Sequence, residues 1–169
     1  VLMGKETADS GYYKWGKTIT PTYLPVDNDE YFVGCDLSLV DWLSRYSYDH
    51  YEEFVRGWLA RMLFSGEESQ KKASVISGGE KVRCMLAKMM LEGGNFMILD
   101  EPTNHLDLES ITALNDGLVA FKGSLLMTSH DRELMNTVCN RIIEIDGGKK
   151  VYDRPVDYDT YLEETMNKQ

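Results

Sequence analysis

The chain has 169 residues, 43% of them apolar, which suits one domain with a real core. It carries 28 acidic against 18 basic residues, a formal net charge of -10, which argues against a broad nucleic-acid face, because such grips rest on Lys and Arg neutralising phosphates. No apolar run approaches the ~20 residues of a membrane span, no charged-then-apolar leader opens the chain, and Cys35, Cys84 and Cys139 form no C-x-x-C pair, which disfavours a disulfide framework or a zinc site and fits a reducing cytoplasm. The chain opens on Val1, and the expectation is a piece of something longer.

Residues 11–26 predict two short strands around a turn near Gly16, on their aromatic and β-branched content. Asp27 to Glu30 is a polar break. Residues 38–64 carry apolar positions at helical spacing: Leu39, Trp42, Leu43 and Tyr46, then Phe54, Trp58, Leu59 and Met62. They predict two helices divided near Asp49. Glu67 to Ala73 reads as a charged loop. A helix is predicted from Gly78 to about Leu91, ending at Gly93-Gly94. Phe96 to Leu99 reads as a buried strand that stops at Asp100-Glu101. A helix over 107–121, another buried strand over 124–128 and a short helix over about 131–139 follow. Arg141 to Ile145 and Lys149 to Tyr152 suit a hairpin across Gly147-Gly148, and residues 157–166 suit a closing helix. Strands alternating with helices predict an α/β fold with a mainly parallel sheet, whose ligands sit at the carboxyl ends of strands. Asp100, Glu101 and His130 fall at such ends.

Three strings carry chemistry. Ile76-Ser77-Gly78-Gly79-Glu80 reads as a helix start, with Ser77 as cap and Glu80 completing a capping box. The same geometry offers backbone N–H groups and a positive dipole end to a phosphate, and two glycines let the backbone approach it closely; both readings hold together. Phe96 to Asp107 is an apolar strand ending in adjacent carboxylates, which is costly unless they meet a cation or a reacting water. Neighbouring strand residues point to opposite sides, so the two acids can have different tasks. Asp100 suits Mg²⁺, held through water, and Glu101 suits orienting or deprotonating an attacking water. The plain alternative is a solvated acidic turn capping the next helix. The third string, Leu125 to Asp131, sets His130 at a strand-to-loop position. A lone His there is commonly a hydrogen-bonded loop residue; as a donor it also suits stabilising the charge of phosphoryl transfer.

Taken together, these strings resemble the ATP-binding-cassette ATPase family over nearly the whole chain. Ser77-Gly78-Gly79-Glu80 resembles its signature motif, Met97 to Asp100 its Walker B strand, Glu101 its catalytic glutamate, Leu106-Asp107 its D-loop and His130 its switch histidine. Leu2 to Gly11 resembles the stretch after the first helix. Glu101 to Asp107, then Ser129 to Arg132, then Asp157 to Glu163, resemble the soluble F subfamily with paired ATPase domains, and residues 105–146 favour the second of the two. The resemblance implies a P-loop NTPase-like fold with a mainly parallel sheet, small antiparallel N-terminal strands and a helical subdomain. It implies one incomplete domain: a β-rich segment 1–28, a helical subdomain 29–73, a core 74–156 and a C-terminal helix 157–169.

Two departures from the family pattern matter. No G-x-x-x-x-G-K-[ST] Walker A loop occurs, and with it the strand and helix that flank it are expected to be missing, leaving an apolar groove near Ile98 and Leu126. Tyr23-Leu24-Pro25-Val26 stands where the family's Gln-loop is expected. The resemblance implies ATP and Mg²⁺ as cofactors. It assigns Ser77, Gly78, Gly79, Glu80 and Asp107 to nucleotide binding, Asp100 to Mg²⁺, and Glu101 and His130 to catalysis. Ser77 to Gly79 would serve an ATP held by a second domain of the same parent chain. It further implies a cytoplasmic protein acting on the ribosome, without membrane insertion, and an isolated segment of little activity. Two rivals remain: the ATPase subunit of a membrane transporter, with residues 29–73 docking a membrane partner, and a non-catalytic interaction module.

Overall fold

A computed structural model describes residues 1–25, 27–49, 51–104, 106–147 and 149–166. Val26, His105, Gly148 and residues 167–169, which the sequence reading used, lie outside them. The chain divides into two compact units, Val1–Thr128 and Ser129–Gln169.

In the first unit a three-stranded parallel sheet has the order β1-β2-β3, with β1 Pro21–Leu24, β2 Phe96–Asp100 and β3 Ser124–Thr128. One residue, through its side chain and its backbone, aligns the strands at their start. Asn95 donates from Nδ2 to the Thr18 carbonyl at 2.7 Å, accepts the Thr20 N–H at 2.8 Å, and its own carbonyl accepts the Ser124 N–H at 2.9 Å. Register then pairs Ile98 with Leu126 and Asp100 with Thr128.

Between β1 and β2 the chain builds a helical part. Helix α1 (Leu39–Ser44) starts at Ser38, whose hydroxyl accepts the Asp41 N–H. Helix α2 (Glu52–Arg61) follows, so the predicted division near Asp49 holds. Trp42 is fully buried, stacks on Phe32 at 4.8 Å and donates its indole N–H to the Tyr31 carbonyl at 2.9 Å, which satisfies the one polar atom of a large apolar ring. Leu39, Leu43 and Leu59, marked in the sequence by their helical spacing, complete this core together with Val55, while Phe54, marked in the same way, is 45% exposed. The region read as a charged loop, Glu67 to Ala73, overlaps two tight 3-10 turns, Gly66–Gln70 and Ala73–Val75.

Helix α3 (Gly78–Leu91) and helix α4 (Leu108–Ala120) bury Cys84, Leu86, Met89, Leu114 and Leu118 together with Met97 and Leu99 of β2. Gly93, at φ 74, takes the left-handed turn that lets the chain leave α3. The strand period places Met97 and Leu99 on this covered face and Ile98 on the other. Ile98 is half-buried and Leu126, beside it, is 40% exposed. Strand β3 is therefore not the buried strand that its Leu-Leu-Met run predicts, since only one of its faces is packed.

The N-terminal strand pair is also corrected. Residues 11–16 form no strand, and among the described residues the only one before the helical part is β1. Tyr12 is 96% exposed, while Trp15 turns inward, meets the Phe96 ring at 5.0 Å and donates to the Leu2 carbonyl. That segment is held by one aromatic anchor and not by a ladder. The small antiparallel sheet lies instead in the second unit.

There, β4 (Ile142–Asp146) pairs with β5 (Lys149–Arg154), and α5 (Arg132–Val138) packs with α6 (Tyr158–Met166). Arg132 bonds Asp159 at 2.6 Å, and Glu164 accepts from both the Tyr152 hydroxyl and Arg154. Tyr161 meets Tyr152 edge-on and stacks on Tyr158.

Candidate functional site

The start of α3 is built locally. The Ser77 hydroxyl accepts the Glu80 N–H at 3.3 Å, and the Ser77 N–H donates to Glu80 Oε2 at 2.7 Å, a complete capping box. Glu80 Oε1 also takes Lys71 Nζ at 2.8 Å. Partial burial pushes the Glu80 carboxyl up, but Lys71 and the Ser77 N–H outweigh it and hold it below the ordinary glutamate range. Glu80 is thus committed to shaping the turn.

The two glycines differ. A side chain on Gly78 would meet open space, whereas one on Gly79 would stand 2.8 Å from Ser110 Oγ and 3.7 Å from Leu106 Cδ2. Gly78 is exposed and Gly79 buried. Gly78 thus leaves the surface open at the start of α3, while Gly79 lets α3 pack against the start of α4. That start is capped by Asp107, whose Oδ1 accepts the Ser110 N–H at 2.7 Å. This bond is the main reason the Asp107 carboxyl lies below its usual range. The Ser110 hydroxyl adds to the effect yet completes no hydrogen bond of good geometry, although its oxygen is buried.

The acidic end of β2 is held by β3. Thr128 donates its hydroxyl to Asp100 Oδ1 at 2.6 Å. The Glu101 N–H points to the Thr128 carbonyl at 3.1 Å and to its hydroxyl at 3.2 Å. Glu101 lies past the end of the strand at φ 47, a left-handed conformation uncommon for a residue with a side chain. The two acids are therefore distinguished by this turn and not by strand alternation, which correctly describes Asp100 and stops there. Asp100 is exposed at a strand's carboxyl end, as expected. Thr128 was not singled out in the sequence; its signal is a hydroxyl in parallel register with Asp100 on the next strand.

The structure brings Gly79 to Leu106 and Ser110, and Asp100 and Glu101 to Thr128. Among the described residues no hydrogen bond or ion pair joins Asp100 to the Ser77–Glu80 turn. His130 belongs to the second unit, exposed between β3 and α5. Next to it, Ser129 Oγ accepts the Asp131 N–H, and Asp131 caps α5 through the Leu134 N–H.

The donor set fits Mg²⁺ in a limited way. Asp100 offers hard carboxylate oxygen, and among the described residues no group of three or more His, Cys, Asp or Glu forms a cage. That suits an ion which keeps waters and takes one or two carboxylates along with substrate phosphates.

Comparison with known proteins places this geometry. The ABC transporter family model matches residues 5–104, which include Ser77 to Glu80, Asp100 and Glu101. The chain is 60% identical over 164 residues to the uncharacterized ABC transporter ATP-binding protein YkpA of Bacillus subtilis, covering 96% of this chain and 30% of that protein. It is 30% identical to ABC transporter F family member 5 of Arabidopsis thaliana, over 99% of this chain and 24% of the relative. It is 35% identical to the energy-dependent translational throttle protein EttA of Mycobacterium tuberculosis, over 86% and 26%. The chain thus spans under a third of the length of these relatives. The solved RNase-L Inhibitor shares the fold, with a TM-score of 0.74 over 99% of this chain and 33% of that one at 22% identity. The chain belongs to the ABC transporter family, as an ATP-binding-cassette ATPase domain of the F subfamily.

Proposed function

We propose that this chain is part of an ATPase domain that binds and hydrolyses ATP together with a second such domain of the same parent protein, and that the parent is cytoplasmic and acts on the ribosome. The observation that carries the chemistry is the end of β2: Asp100 fixed by the Thr128 hydroxyl, and Glu101 set on a separate course by its left-handed turn. In this reading Asp100 holds Mg²⁺ through water. When bound, the ion neutralises phosphate charge. Glu101 orients the attacking water and takes its proton. His130 donates a hydrogen bond toward the transferring phosphoryl group. Ser77 and Gly78 face an ATP held by the partner domain, with Gly79 seating the start of α3 against α4 behind them, Glu80 holding the turn through Ser77, and Asp107 fixing the start of α4. Residues 1–169 form one incomplete domain, with a β-rich segment 1–28, a helical subdomain 29–73, a core 74–156 and a closing helix 157–169.

The ribosomal reading is supported by the strings Glu101 to Asp107 and Ser129 to Arg132 and by similarity to a protein named as a translational throttle. Among the described residues no helix is long and apolar enough to cross a membrane. Because no Walker A loop supplies N–H groups and a Lys to the triphosphate, the 169-residue chain by itself binds ATP–Mg²⁺ weakly and turns it over little.

The test uses the full-length parent with its other site silenced. Glu101→Gln keeps size and hydrogen bonding but removes the base, so single-turnover hydrolysis falls by ~10²–10⁴-fold while nucleotide is retained. Asp100→Asn weakens nucleotide retention as well as turnover. Hydrolysis at the parental rate in Glu101→Gln rules out Glu101 as the base.

A further inference from the structure

A cleft of about 780 Å³ opens in the first unit, away from the residues assigned to nucleotide. It lies between the last turns of α2, α3 and α4 and the residues that lead into β2 and β3. It therefore sits at the amino ends of the strands, whereas Asp100 closes the carboxyl end, roughly 15 Å along a strand of this length. Ser77 is at the opposite end of α3, about 20 Å along the helix axis.

The walls are apolar: Trp58, Met62, Met90 and Phe121. Volume and lining fall within the range of small-molecule sites, about 300–1,000 Å³. The two thioethers adapt to irregular shapes. Gly117 lets α4 lie close against these methionines, since a side chain there would stand 2.9 Å from Met62 Cε.

Charge selects the occupant. The chain as a whole is strongly acidic, yet the lining holds two cations, Arg61 and Lys122, against one carboxylate, Asp116. Among the described residues neither cation makes an ion pair. The Arg61 guanidinium carbon instead lies 4.5 Å from the Trp58 ring centre, a cation–π contact that uses the face of the ring and does not neutralise the charge.

We propose that this cleft is a binding site for a small aromatic organic anion, its ring held among Trp58, Met62 and Phe121 and its charge met by Arg61 and Lys122. The site is independent of the nucleotide assignments above.

The experiment titrates the 169-residue chain with the aromatic sulfonate 8-anilinonaphthalene-1-sulfonate and, in parallel, with neutral N-phenyl-1-naphthylamine, following probe fluorescence. One saturable sulfonate site per chain is expected. Arg61→Gln with Lys122→Gln, both exposed positions, weakens the sulfonate by about ten-fold, at roughly three-fold per charge, and leaves the neutral probe unchanged. Ala120→Trp fills the cleft and removes the binding of both probes. Leu126→Gln, on the open face of the sheet, leaves both titrations as they were. Should Ala120→Trp disturb folding by circular dichroism, the paired charge variant decides alone. The proposal is overturned by the absence of a saturable site, by equal sulfonate affinity in the paired charge variant, or by loss of signal in Leu126→Gln.

Discussion

Gly78 and Gly79 are neighbours in one motif, yet replacing each with alanine is expected to move stability in opposite directions. Gly78→Ala adds a methyl group to open space and restricts the unfolded chain, worth a gain of about 0.5 kcal/mol. Gly79→Ala brings the same gain but sets a carbon 2.8 Å from Ser110 Oγ and 3.4 Å from Ser110 Cβ. Ser110 is 1% exposed and is a short side chain on the first turn of α4, so it has little room to withdraw. Overpacking of this kind costs about 1–3 kcal/mol, leaving a net loss of about 1–2 kcal/mol. At roughly 2–4 °C per kcal/mol for a chain of this size, the two variants separate by about 3–10 °C in Tm. Ser110→Ala supplies the control. Its hydroxyl oxygen is buried without a hydrogen-bond partner, so its removal alone is nearly neutral, and in the Gly79→Ala background it relieves the shortest contact and restores at least ~1 kcal/mol. Urea and thermal unfolding of the four variants measure this cycle. Equal stability of the two glycine variants, or no recovery in the double variant, refutes the packing role assigned to Gly79.

Further outcomes follow from the same geometry. Glu80 has its carboxyl held below the ordinary range, so its contribution is present above the unfolded value of about pH 4.3 and is lost as pH falls through the lower folded value. The stability gap between parent and Glu80→Gln should therefore be flat near neutrality and close on acidification, as read from urea midpoints across pH. The two faces of the sheet should respond unequally: Leu99→Ala, at a position 1% exposed, costs about 2–5 kcal/mol, and Leu126→Thr, at 40% exposure, costs under about 1 kcal/mol, both from denaturant unfolding.

What the sequence disclosed follows the range of the interactions. Helix α3 was legible from Gly78 to Leu91 because its signals are local: a cap, an acid three residues on, an apolar stripe and a glycine after the end. Asp100 was legible because an apolar run ends on it. The exposure of β3 was legible only through the absent Walker A loop, which predicts an apolar groove near Ile98 and Leu126, and Leu126 is 40% exposed. In the composition of β3 itself that exposure was not legible, since it depends on what lies against each face. Nor was the absence of a strand over 11–16, where aromatic content pointed to a ladder but Trp15 serves as a single anchor. Short 3-10 turns such as Gly66–Gln70 lack the length for any period to show. At the candidate site the acids were visible, while the left-handed turn at Glu101 and the Thr128 clamp were not, because both depend on a strand 28 residues away.

Asn95 has a kinetic consequence. Its bonds to Thr20 and Thr18 span 75 and 77 residues, with the whole helical part inserted between. Pairing β1 with β2 means closing that loop before any ladder bond is gained, whereas α1, α2 and α3 form from nearer contacts. Loop-closure entropy therefore favours condensation of the helical part before the sheet, with Asn95, bonded to the segments leading into both neighbouring strands, as the latch between them. A chain closing one residue out of step would turn Thr128 away from Asp100, so the acidic end of β2 acquires its partner only when the latch, five residues upstream, has engaged the right pair.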